Sequence, residues 1–188
     1  VKTIYLDYNA TTPCAREVQA AMLPFLAEYY GNPSSGHVLG RASREAIEDA
    51  RTQVGLMLGA DRTEIVFTSG GTEGINLVLR GLMHQNPEGE LISSDLEHSC
   101  VNATCKDLAQ QGYSVHCLHP GLAGRVSPED LRAAITEQTR AVCLSAVNTE
   151  TGVKTDLEGV AAVAAEYGVP LVIDGVGLLG KEAFRIPP

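Results

Sequence analysis

IVFTSGGTEGINLV, residues 65–78, decides how the rest of the chain is read. Ile65, Val66 and Phe67 are β-branched or aromatic and precede a glycine pair, which predicts a short buried strand. Thr68, Ser69, Gly70 and Gly71 follow as a small, flexible turn. From Thr72 the period changes, with Ile75, Leu77, Val78 and Leu82 recurring at helical spacing. Strand, glycine-rich turn and helix N-terminus together aim free backbone N–H groups and the positive end of a helix dipole at one spot. Thr72 adds a hydroxyl there. That arrangement suits a phosphate. The same residues also serve an ordinary βα turn capped by Thr72 and Glu73, and on this stretch alone both readings stay open.

Outward from this stretch, strands and helices alternate. Val1–Leu6 reads as a short strand and DYNATTP, residues 7–13, as a polar turn whose Thr11 or Thr12 is free to cap the next helix. Arg16–Tyr30 is amphipathic, and Pro24 within it predicts a kink or break. GNPSSGH, residues 31–37, is a loop by composition. Ser43–Leu58 is the clearest helix, ended by Gly59, with Glu48 and Arg51 paired on its wet side. Toward the C-terminus, Glu90–Ser94 is a strand, His98–Gln111 a helix and Tyr113–Leu118 a strand. Pro120–Val126 is a loop. Ser127-Pro128-Glu129-Asp130 starts a helix, with proline in the first turn and acids at its positive end. Arg140–Val147 is an apolar strand, Asp156 caps a helix that runs to Gly168, and Val169–Ile173 is a further apolar strand. Apolar strands separated by helices predict an α/β fold: a mostly parallel sheet with helices on both faces. No repeat, low-complexity segment or linker interrupts residues 1–188, so one domain is expected.

The composition narrows the function classes. Of the 188 residues, 14 are Lys or Arg and 23 are Asp or Glu, giving a formal net charge of −9. That balance argues against a nucleic-acid or anionic-membrane surface, either of which needs clustered positive charge. No apolar run approaches the ~18 residues of a membrane span, and no signal-type apolar region follows Lys2. Five cysteines without framework spacing predict reduced thiols and a cytoplasmic protein. Cys100 and Cys105 lack zinc-knuckle spacing, so no metal site is expected.

In open α/β sheets a ligand sits beyond the carboxyl ends of the strands. Just past each strand lie Ser69-Gly70-Gly71-Thr72, then Glu97-His98, then Asn148-Thr149-Glu150, then Asp174. They are expected to share one crevice, where a buried Asp174 charge is costly unless paired with a cation. His98 otherwise reads as a helix N-terminal surface residue and Asp174 as a turn or cap residue. Cys100, two residues after His98, reads as a small buried residue at a helix start or as a thiol polarised by the helix N-terminus. His37, His84, His116 and His119 read as surface or loop residues.

YLDYNATTP, GNPSSGH, FTSGGTEGINLVLRG, DLEHS, VNTETGV and VIDGVGLLGK, in order from Tyr5 to Lys181, resemble the nitrogen-fixation-type cysteine desulfurases. These belong to the class V aminotransferase group of fold-type-I pyridoxal 5′-phosphate enzymes. The resemblance implies the large domain of such an enzyme. It implies that Gly71 and Thr72 cradle the cofactor phosphate. It makes His98 the catalytic histidine that stacks on the pyridine ring and assists proton transfer, and Asp174 the carboxylate that pairs with the pyridinium nitrogen. It also implies L-cysteine or a related amino acid as substrate, an enzyme persulfide and alanine as products, a sulfur-acceptor protein, a role in iron–sulfur cluster assembly and a homodimer built partly by GNPSSGH. The chain departs from the pattern at Thr149, a cofactor-binding position where the family has Asn, and at Gly177, where it commonly has Gln. The Ser-x-His-Lys segment with the cofactor-linked lysine, the persulfide cysteine and the small C-terminal domain come later in the family pattern, and Lys181 matches a non-catalytic lysine. The expectation is therefore a fragment or natural truncation, inactive alone. The alternatives are a non-catalytic scaffold or binding module, or another class V enzyme such as a selenocysteine lyase or an aminotransferase.

Overall fold

The computed structural model describes residues 3–184 and 186. The chain falls into two compact units, Val1–Phe67 with Phe184–Pro188 and Thr68–Ala183.

In the first unit, helix α1 spans Arg16–Ala27 and helix α2 spans Val38–Leu58. Pro24 does not break α1 at once. The helix ends three residues later, with the Pro24 carbonyl taking the N–H groups of Glu28 and Tyr29. Thr11 and Thr12 do not cap it: Ala15 holds the N-cap without a side-chain bond. Helix α2 begins five residues before the expected start at Ser43, because His37 Nδ1 accepts the Gly40 N–H at 3.2 Å and caps it. Gly59 closes it in the left-handed region at φ 73°, where a Cβ is disfavoured. The Glu48–Arg51 pair forms at 3.3 Å.

Two expected strands are absent. Residues 3–6 are irregular, and residues 1 and 2 lie outside the described residues. Ile65–Phe67 is extended without a ladder. A strand forms only where a neighbour satisfies its backbone. Here the Ile65 carbonyl accepts from Arg51 instead, the Arg51 guanidinium lies 5.0 Å over the Phe67 ring, and Val66 is left 69% exposed.

The second unit carries the sheet. Helix α3 spans Gly71–Gln85, strand β1 Glu90–Ser94, helix α4 Ser99–Gln110, strand β2 Ser114–Leu118, helix α5 Pro128–Ala134, strand β3 Thr139–Ser145, helix α6 Leu157–Glu166 and strand β4 Leu171–Asp174. The strands run in the order β2-β1-β3-β4, all parallel. Strand alternation divides the core between the two faces. Leu91, Ala141 and Cys143 point to one face and pack with Ile75, Leu79 and Met83 of α3 and Val101, Cys105 and Leu108 of α4. Ile92, Val142 and Leu144 point to the other and pack with Leu131 of α5 and Val160 and Val163 of α6. This is the expected α/β layering, and it sets every strand's carboxyl end on one edge. The chain runs from β1 to β2 on one side and from β3 to β4 on the other, so a switch point falls between β1 and β3. No described helix is long and apolar enough to cross a membrane.

Candidate functional site

Three loops and one helix start meet along the carboxyl edge. After β1, a turn leads through Glu97 to His98, the N-cap of α4. His98 Nδ1 accepts the Cys100 N–H at 3.2 Å and lies 3.0 Å from Cys100 Sγ, while the ring is exposed. With Nδ1 engaged by a donor, the exchangeable proton of the neutral ring belongs on Nε2.

After β3, Asn148 is buried and ties two loops together. Its Nδ2 donates to the Leu96 carbonyl at 2.6 Å. Its Oδ1 accepts the N–H groups of Glu150 and Thr151 at 3.0 and 2.8 Å and the Thr151 hydroxyl at 3.0 Å. Half-buried Thr149 is held between these anchors.

After β4, Asp174 is 9% exposed, and its Oδ1 accepts the Val176 N–H at 3.0 Å. No ion pair among the described residues includes it.

The start of α3 completes the edge. Glu73 Oε2 accepts the Ser69 N–H at 2.6 Å, a bond that holds the Glu73 carboxyl below its ordinary range. The Thr68 hydroxyl donates to the Gly70 carbonyl at 3.0 Å. The first-turn N–H groups of Gly71 and Thr72 have no helix carbonyl within reach.

Close approaches link these pieces. A Cβ on Gly71 would lie 2.9 Å from Val176 Cγ2, so the turn abuts the loop after β4. A Cβ on Gly177 would lie 2.9 Å from the Val147 carbonyl oxygen, so that loop in turn abuts the one after β3. Asn148 joins the latter to the loop after β1. Gly71, Thr72, Thr149 and Asp174 thus lie on one contiguous belt of backbone, and His98 starts the helix that follows its β1 segment. Asn148, which clamps the belt, was not singled out by sequence reasoning. Its signal was position alone, directly after an apolar strand and ahead of Thr151 and Gly152.

A phosphate-bearing aromatic cation fits these groups. Helix α3 has 15 residues and a full dipole at its glycine start, and a buried carboxylate without a cation waits at the end of β4. Among the described residues no three metal-ligating side chains group together.

Residues 4–186 match the model of the aminotransferase class-V family. A cysteine desulfurase 2 of Trichormus variabilis is 41% identical over 182 residues, which cover 96% of this chain and 46% of that one. A cysteine desulfurase IscS of Dictyoglomus turgidum is 38% identical over 181 residues, 95% of this chain and 46% of that one. Among solved structures, SspA in complex with cysteine superposes with a TM-score of 0.89 at 36% identity, covering 91% of this chain and 50% of that one. A NifS-like protein superposes with a TM-score of 0.94 at 32% identity, covering 97% and 51%. The chain spans about half the length of the curated relatives it matches.

Proposed function

The chain belongs to the aminotransferase class-V family, and from that premise we propose that it is the cofactor-binding part of a cysteine desulfurase. The whole protein would bind pyridoxal 5′-phosphate, take L-cysteine or a related amino acid, pass its sulfur to an enzyme cysteine and leave alanine. One domain equivalent to the N-terminal part and large domain of the longer enzyme, a homodimer, a cytoplasmic location and delivery of sulfur to an acceptor protein for iron–sulfur assembly belong to the same reading. Relatives named cysteine desulfurase and a neighbour solved with cysteine support it.

Asp174 is the observation that carries the reading. A carboxylate so deeply buried is costly without a positive partner. It stands beside a glycine-rich helix start that attracts phosphate, and a ligand with an anionic group and a ring cation satisfies both. Bound there, pyridoxal 5′-phosphate supplies the electron sink for bond breaking at the amino acid. The chain's own residues do the rest. Gly71 and Thr72 hold the phosphate by N–H groups and one hydroxyl. Asp174 keeps a proton on the ring nitrogen. His98 holds and moves a proton at Nε2, its Nδ1 being fixed by the Cys100 N–H. Thr149 offers a hydroxyl where the family has an amide.

Titration of the 188-residue chain with pyridoxal 5′-phosphate, followed by absorbance and fluorescence, tests this. Reversible binding is expected, with Asp174→Ala weakening it. A hydrogen bond to a charged group is worth about 1.5–3 kcal/mol, or roughly 10- to 100-fold in affinity. Undiminished affinity in Asp174→Ala would remove the basis of the assignment. A scaffold that has lost the chemistry is the second reading, favoured by Gly177, whose backbone leaves no space for the side chain the family commonly carries. A Ser-x-His-Lys segment downstream in the gene supports the enzyme, and its absence from the complete protein supports the scaffold.

A further inference from the structure

We propose that Glu97 works as an uncharged carboxylic acid that holds the buried carboxyl pair at the sheet edge, itself and Asp174, to a single negative charge. It is then a positioning residue, acting through Asp174 on whatever cation that carboxylate receives. The cation-receiving role of Asp174 rests on the reading given above, whereas the charge state of Glu97 does not.

Glu97 and Asp174 are 8% and 9% exposed. Glu97 Oε1 accepts the Ser94 hydroxyl at 2.8 Å. Its Oε2 has no hydrogen-bond partner and is the sole such buried side-chain atom among the described residues. An ionised carboxylate forfeits most by leaving an oxygen bare. Ser145 links the two acids: it is the register partner of Asp174 across β3 and β4, and its hydroxyl and N–H stand close enough to the Glu97 carboxyl to favour its charged form, although neither meets hydrogen-bond geometry with Oε2.

No cation among the described residues pairs with Glu97. Burial holds the Cys105 thiol of α4 up at about 11 and pushes the Cys143 thiol of β3 up further, so both are neutral. Arg125 lines the same small cavity but gives its guanidinium to the Lys154 carbonyl at 3.3 Å. Asp95, two residues before Glu97, pairs with His119 at 2.6 Å. His98 turns its Nδ1 to Cys100. A second buried carboxylate nearby adds to the cost of charging Glu97, though less than burial itself does. Burial first, then the Asp174 charge, raise the Glu97 carboxyl above its ordinary range, against the pull of Ser94 and Ser145. Burial, the bare Oε2 and the lack of an ion pair together place the proton on Glu97.

The sign of the pH effect follows. A group whose folded-state value is raised contributes stability in full below its unfolded value, and that contribution is lost as pH rises through the folded value. Glu97→Gln, the isostere of the neutral acid, has nothing to lose.

The experiment is urea unfolding of the 188-residue chain and of Glu97→Gln across pH from about 4 to about 9. The two are expected to converge at the acid end, with Glu97→Gln gaining on the wild type as pH rises. A gap of constant size across the range overturns the proposal, since a shape-only role would give that. The second arm is affinity for pyridoxamine 5′-phosphate. Glu97→Ala is expected to lose it at least fivefold and Glu97→Gln to restore it. A Glu97→Gln protein no better than Glu97→Ala overturns the positioning role. If no form binds this probe, the cofactor reading and the positioning role fall together, while the unfolding curves still decide the charge state. Should Glu97→Gln not fold, the side-chain carboxyl carbon-13 resonance of Glu97 in the wild type decides instead: a protonated shift near pH 6 supports the proposal and a carboxylate shift there overturns it.

Discussion

The burial of Asp174 was legible because a carboxylate stands directly at the end of an apolar strand. The burial cost of its charge could be argued from that alone. Glu97 and Asn148 were visible as positions past strands, but their work depends on what stands across the sheet edge, and local sequence does not carry that. Glu97 becomes telling only when its bare Oε2 and the Ser145–Asp174 register are known. Gly177 is a similar case. Sequence presents it as a missing Gln, whereas the fold shows a backbone position with the Val147 carbonyl oxygen 2.9 Å from where a Cβ would sit. Restoring the family residue is therefore expected to do harm. Gly177→Gln should destabilise by about 1–3 kcal/mol in urea unfolding, as overpacking does, and should not tighten pyridoxal 5′-phosphate binding. Equal stability with tighter binding would show that the loop after β4 yields to accommodate the side chain.

At the scale of elements, sequence reading succeeded where signals were local and doubled. The helix start signalled by Pro128 and the first-turn acids is present, and Ser127 and Asp130 close it with a reciprocal capping box. Asp156 Oδ1 accepts the Gly159 N–H at 3.1 Å and starts α6. Replacing Asp156 by Ala should cost about 0.5–2 kcal/mol, the usual worth of an N-cap, read from the urea midpoint at an unchanged slope. An unchanged midpoint would mean that packing of Val160 and Val163 alone sets that helix. Reading failed where an element needs a partner elsewhere. Ile65–Phe67 has the composition of a strand, but composition supplies no neighbour for its N–H and C=O groups, and in the structure Arg51 takes their place. Helix α2 was read too short because Gly40 interrupts its first turn and its cap is a histidine, a residue outside the usual capping set. Pro24 was weighted as a breaker, yet proline removes only its own bond and the one turn it crowds, so α1 runs on briefly.

At the scale of the whole molecule, the apolar surface of the first unit is the feature left to explain. Helix α1 buries none of its residues, and Val18, Met22, Leu23, Phe25 and Leu26 are all exposed. Helix α2 adds exposed Ile47, Leu56 and Met57. Exposed apolar side chains in such number on two helices mark interaction surfaces rather than free ones. The proposed homodimer gives some of them a partner, and the loop before α2 is packed tightly on that helix, since a Cβ on Gly40 would lie 2.4 Å from the Ser35 carbonyl oxygen. Charge sets how such a dimer should respond to salt. Each copy carries a formal −9, so two copies repel at long range while apolar contact holds them. Screening shortens that repulsion from about 10 Å at 0.1 M salt to about 3 Å at 1 M. Sedimentation of the 188-residue chain at micromolar concentration is therefore expected to give a dimer that persists or tightens as salt rises. A dimer that loosens with salt would place attractive ion pairs at its centre, and a monomer throughout would remove the dimer from the proposed function and leave these helices to another partner.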